Sequence, residues 1–141
     1  MSSYLRSAGA GAAAAGLWAL AEPLDQRVAC YDYSDVALLG KAVTRGKHWR
    51  LAGLGLHALN GGVFGLAYEA ASRRTTVGRK RLALGMALAE HVGLYPLSYF
   101  VDRYHPARGE PGIPPILRSP RAFAQATWRH AVFGVALGRL A

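Results

Sequence analysis

The stretch WRLAGLGLHALNGGVFGLAYEA, residues 49–70, decides how this chain is read. Leucine, alanine, glycine and aromatics dominate it, and only Arg50 and Glu69, near its ends, carry a formal charge. A hydrocarbon core of ~30 Å needs ~20 consecutive apolar residues in a helix, and charge confined to segment ends is what a bilayer demands. Three other stretches share the pattern, so the chain reads as an all-α polytopic membrane protein: a bundle of four transmembrane helices at about 4–22, 49–70, 82–101 and 121–140, forming a single membrane domain over residues 1–141.

The first stretch runs from about Tyr4 to Ala21 and ends at Glu22-Pro23. Alanine and glycine dominate it, which suits close packing against partner helices more than exposure to lipid. Further spans follow, so it reads as a retained helix and not a cleaved leader. In the polar loop after it, Ser34 is placed to cap a short helix whose stripe is Val36, Leu38, Leu39 and Val43. That helix is too short to span and belongs at the interface or folded back on the bundle. Pro96 interrupts the third stretch, and a Pro/Gly-rich connector joins Tyr104 to Pro120. Gly61 and Gly65, and Gly134 and Gly138, are small-xxx-small pairs that suit packing within the chain or a homo-oligomer.

The net charge is +9. The bases gather at segment ends, notably Arg73, Arg74, Arg79, Lys80 and Arg81, and no nucleic-acid-binding motif accompanies them. Their density between the second and third stretches places that loop and both termini in the cytoplasm. A lipid bilayer is then the expected partner, and nucleic acid is not. Cys30 is the single cysteine, which excludes an internal disulfide and cysteine-based metal spacing. Trp18, Trp49 and Trp128 fall where interface anchors belong.

Ionisable side chains inside apolar stretches are expensive and therefore informative. Glu22 closes the first; His57 and Asn60 share a face of the second; Glu90 and His91 lie in the third; Gln125, Arg129 and His130 lie in the fourth. They are expected to form one buried network, with Glu90 pairing Arg129 and with Asn60 and Gln125 completing the hydrogen bonds. His91, Tyr95, Ser98 and Asp102 continue as a helical stripe. One reading has the network holding helix register in a non-enzymatic protein. A second makes Glu90 and the histidines a proton-linked path for a small solute, since histidine titrates near neutral pH and burial raises a glutamate. A third makes His57, His91 and His130 ligands of haem or a metal, although three separate helices would supply them. Walker, nucleophile-elbow and His-Glu-x-x-His signatures are absent from the sequence.

Short motifs at Trp18–Leu24 (WALAEPL), at His57 with Phe64 and Tyr68, at His91 with Pro96-Leu97, and at His130 with Val132-Phe133 resemble the YagU-like family of small bacterial inner-membrane proteins. The resemblance implies a multi-pass inner-membrane architecture and a loose association with acid or envelope stress. It supplies no catalytic residues.

Overall fold

The computed structural model describes residues 2–141. Its helices are α1 (Ser3–Ala29), α2 (Asp35–Val43), α3 (Trp49–Ser72), α4 (Arg79–Leu94), α5 (Ser98–Tyr104) and α6 (Pro120–Leu140), with a 3-10 turn at Tyr95–Leu97 between α4 and α5. Hydroxyl caps start three of them. Ser2, Ser34 and Ser119 accept hydrogen bonds from the backbone N–H of Leu5, Ala37 and Ala122. Each satisfies a donor that the first helical turn leaves free.

α1 lies at the centre, with α3 along one side and α6 along the other; α2 packs outside α3, and α4 outside α6. Missing side chains set the closeness of these contacts. A Cβ on Gly11 would lie 2.0 Å from the Gly61 carbonyl oxygen, and one on Gly65 would lie 2.0 Å from that of Ser7. Gly40 and Gly53 do the same for α2 on α3, and α6 approaches α4 less closely, a Cβ on Gly134 or Gly138 lying 2.8 or 3.0 Å from the Cα of Leu84 or Lys80. The paired glycines of α3 and α6 thus turn their bare faces to helices of the same chain. The apolar core joins Ala10, Ala14, Ala15, Trp18, Tyr68, Ala83, Ala87, Phe133 and Leu137.

The helical class accords with the sequence, but the membrane reading is corrected. Among the described residues no helix is long and apolar enough to cross a membrane. The four-span, multi-pass, inner-membrane assignment falls with that finding, and so does the cytoplasmic placing of the termini. The physical reason lies in two features. α4 stops after 16 residues because Pro96 lacks an N–H and tightens the backbone into the 3-10 turn. α1, α3 and α6 are longer, but glycine, alanine and interior polar groups dilute their hydropathy: Glu22 and Asp25 in α1, His57 and Asn60 in α3, Gln125, Arg129 and His130 in α6.

Two local expectations also change. α1 does not end at Glu22-Pro23 but carries Pro23 inside it and continues to Ala29, ending on Cys30 in the left-handed conformation (φ 48°). Trp18 is no interface anchor but a core residue, whereas Trp128 is exposed. The short helix folds back on the bundle, and the connector is ordered. Asp102 accepts from the N–H groups of Ile116 and Leu117 at 2.8 and 2.9 Å, and Ile113 and Ile116 are buried.

Candidate functional site

The extra turn of α1 has a consequence for Arg129. Glu22 and Asp25, three apart on one helix face, both reach the guanidinium. Nε and Nη2 of Arg129 donate to the two oxygens of Asp25, each at 2.6 Å, as a bidentate fork. Nη2 also donates to the Tyr33 carbonyl at 2.7 Å, and Nη1 to Asp35 at 2.7 Å. Glu22 Oε1 stands 3.6 Å from Nη1. The arginine side chain is 1% exposed, so the centre is sealed. Gln125 donates to Asp25 at 2.9 Å and to the Tyr31 carbonyl at 3.1 Å.

Glu22 serves a second purpose. Its Oε1 accepts from the N–H of Asp35 at 2.8 Å and of Val36 at 3.3 Å, and its Oε2 accepts from the Ser34 hydroxyl at 2.7 Å. It therefore caps the positive end of α2 and ties that helix to α1. Three carboxylates surround one arginine, and their electrostatics diverge accordingly. Burial and repulsion by Asp35 push Glu22 up to about 7, despite the Ser34 hydrogen bond and Arg129. Burial acts on Asp35 too, but Arg129 and the hydrogen bonds from Tyr33 and Arg129 outweigh it and hold Asp35 low. Burial opposes the charge on Arg129, but its carboxylates prevail and raise its pKa further.

Trp18 separates this centre from a second one. Its Nε1 donates to Asp35 at 3.2 Å on one side. On the other its ring meets His57 and His130 edge-on, with centroids 4.9 and 4.6 Å away. α3 and α4, though consecutive, hardly touch. A half-open cleft of about 290 Å³ lies there, lined by His57, Asn60 and Phe64 of α3, Glu90, His91 and Tyr95 on the α4 side, and Trp18, His130 and Phe133. The hydrogen bonds fix the tautomers of His91 and His130. The Thr127 hydroxyl gives its only proton to the Phe123 carbonyl, so His91 Nε2 donates to it at 2.9 Å. His130 Nδ1 donates to the Ala126 carbonyl at 2.7 Å, leaving Nε2 as an acceptor 3.9 Å from Glu90, too far for a hydrogen bond. The buried Nε2 of His57 has no partner. Burial lowers all three histidines, so they are neutral at pH 7. Burial raises Glu90, which stays 37% exposed at the rim.

The single network expected from sequence is therefore two centres. Glu22, Gln125 and Arg129 belong to the sealed one; His57, Asn60, Glu90, His91 and His130 belong to the cleft. The expected Glu90–Arg129 pair does not form, because Asp25 and Asp35 occupy the guanidinium and Glu90 faces His130 instead. Asn60 is exposed on the cleft wall and completes no buried bond of Arg129. Sequence reading did not place Asp25, Asp35, Tyr33 or Thr127 at a site, and it set Trp18 at an interface. The available signal was an acid three residues after Glu22 and another at the start of the Ser34-capped helix.

No three His, Cys, Asp or Glu side chains among the described residues are grouped to hold a metal ion. The rings of His91 and His130 lie 4.9 Å apart at 31°, which leaves no room for a macrocycle between them. No family model, no curated protein and no solved structure matches this chain.

Proposed function

We infer that this is a binding protein whose cleft takes a small organic cation, an ammonium or amidinium group carried on an apolar or aromatic body. One observation carries the reading: polar groups of the cleft have unmet hydrogen-bonding capacity, and the His130 Nε2 lone pair and the Glu90 carboxylate among them can only accept. His57 Nε2 is unpartnered, His130 Nε2 has a free lone pair, and the Glu90 carboxylate lies beyond hydrogen-bond reach of it. A ligand bringing N–H donors and positive charge would satisfy all three, because unmet buried acceptors are costly. The Trp18, Phe64, Tyr95 and Phe133 rings offer its body an apolar wall and its charge electron-rich faces. Asp35, behind Trp18, adds negative potential. Arg129 pairs with Asp35, but Asp25 and Glu22 share the same guanidinium, so the carboxylates there outnumber the base.

The test compares three ligands of one shape. Benzylammonium, benzyl alcohol and benzoate are titrated against the protein at pH 7.5, with thermal unfolding and tryptophan fluorescence as readouts. The ammonium is expected to raise Tm saturably and to perturb the emission lost in Trp18→Phe. Glu90→Gln should weaken it about tenfold, and acidification should weaken it as the histidines charge and Glu90 takes up a proton. Equal responses to all three ligands, or none, would remove the reading.

A further inference from the structure

We propose that the end of the bundle away from the Arg129 centre docks on an anionic lipid surface, end-on and without any helix crossing it. The antiparallel packing gathers four helix termini there: the start of α1, the end of α3, the start of α4 and the end of α6. Arg73 of α3 donates to Ser3 of α1, Tyr68 donates to the Arg79 carbonyl at 3.3 Å, and Gly138 of α6 packs on Lys80 of α4. The five bases between Arg73 and Arg81 thus join Arg6 and Arg139, and all seven are exposed. One carboxylate accompanies them. Glu69 is buried and already shared by Arg73 at 3.0 Å and Arg79 at 3.1 Å. The remaining bases face solvent uncompensated, a concentration of charge that attracts phosphate-bearing surfaces.

Charge alone does not distinguish a lipid headgroup from a nucleic acid. The apolar residues between the bases do. Leu5 is 63% exposed, and Val77 and Leu140 are each 49% exposed. A phosphodiester backbone would leave such aliphatic side chains in water. A lipid interface takes the bases at its phosphates and the aliphatic groups just below them. Tyr4, under the Arg73 guanidinium at 4.8 Å from its ring centroid, is the amphipathic side chain expected at that depth. The proposal is independent of what the cleft binds.

Co-sedimentation with vesicles tests it, comparing neutral phosphatidylcholine with a mixture containing one third phosphatidylglycerol. Anionic vesicles should bind at least tenfold more tightly, and the preference should shrink with added salt. Arg74, Lys80 and Arg81 take no part in the Glu69 pairs, so their combined change to Gln leaves the fold intact. It should weaken binding about a hundredfold, at roughly fivefold per base. The double variant Leu5→Ser, Leu140→Ser keeps the charge and should weaken binding about tenfold. Equal affinity for neutral and anionic vesicles would overturn the proposal. So would binding that the Leu5, Leu140 variant leaves unchanged, or displacement of the protein from vesicles by a mixed-sequence 20-nucleotide DNA strand.

Discussion

The two ends of this bundle carry inverted charge centres. At one, a single arginine is ringed by Asp25, Asp35 and Glu22; at the other, a single glutamate is ringed by Arg73, Arg79 and the Ser7 hydroxyl. The chemistry is similar, but the seals differ. The Arg129 side chain is 1% exposed, whereas Arg73 and Arg79 are 54% and 45% exposed around a buried Glu69. A sealed centre interacts strongly and pays heavily if a partner is lost, because a buried charge has no water to fall back on. An open centre is screened by salt and water, so each surface pair contributes little. The sealed end thus enforces how α1, α2 and α6 meet, and the open end leaves bases free for an outside partner.

Removing the hub arginine should have the largest effect. Arg129→Met strands Asp25 and Asp35 without their counter-ion and should cost about 3–5 kcal/mol in urea unfolding at pH 7. One molar salt should barely alter that loss. An effect below 1 kcal/mol would mean that water reaches the centre.

Glu22→Gln probes the surplus charge of the same centre. Burial and Asp35 raise Glu22 to about 7 from an ordinary 4.5, so the folded state binds a proton that the unfolded chain releases. The penalty is full above pH 7 and vanishes as the pH falls to 4.5. The variant should therefore be more stable than the wild type at pH 8, by up to roughly 3 kcal/mol, and the gap should close as the pH falls through 4.5. Stability curves that run parallel from pH 5 to 8 would refute this.

Glu69→Gln should cost about 1–2 kcal/mol, because it removes charge-assisted hydrogen bonds at a half-open site. Burial pushes Glu69 up, but hydrogen bonds from Ser3, Arg79, Arg73 and Ser7 bring it down to about 2. Its stabilisation is present above the unfolded value of 4.5 and is lost as the pH falls towards 2. The difference between wild type and variant should close over that window, and should also shrink in high salt, unlike that at Arg129. The smallest effect is expected for Arg73→Gln, about 0.5 kcal/mol or less at physiological salt. If it equals the Glu69 loss, the second centre is as sealed as the first.

Much of the helical frame was legible in the residues, because it depends on local patterns. The stretch at 49–70 becomes α3, that at 121–140 becomes α6, and Ser34 caps α2 as its position before an apolar stripe implies. Of the polar set only Glu22, Gln125 and Arg129 meet in one centre; the other five members line the cleft. The pairing within the set was not legible. Glu90 looked level with Arg129 along antiparallel helices, but Pro23 does not stop α1, and Asp25 reaches the guanidinium first. A proline inside a helix removes one hydrogen bond, a cost that tertiary contacts in the following turn offset.

By itself the sequence determined that the chain is helical, that Ser34 caps a short helix, and that its ionisable groups sit among alanine, glycine and leucine. These follow from residue spacing and from the chemistry of caps and prolines. Only the tertiary structure decided that no helix among the described residues can cross a membrane, that Arg129 belongs to Asp25 and Asp35, and that the histidines line an acceptor-rich cleft. The physical reason is that a buried charge is satisfied by whichever partners the backbone brings nearest, and glycine seams too close for any Cβ set those distances between residues far apart in the chain.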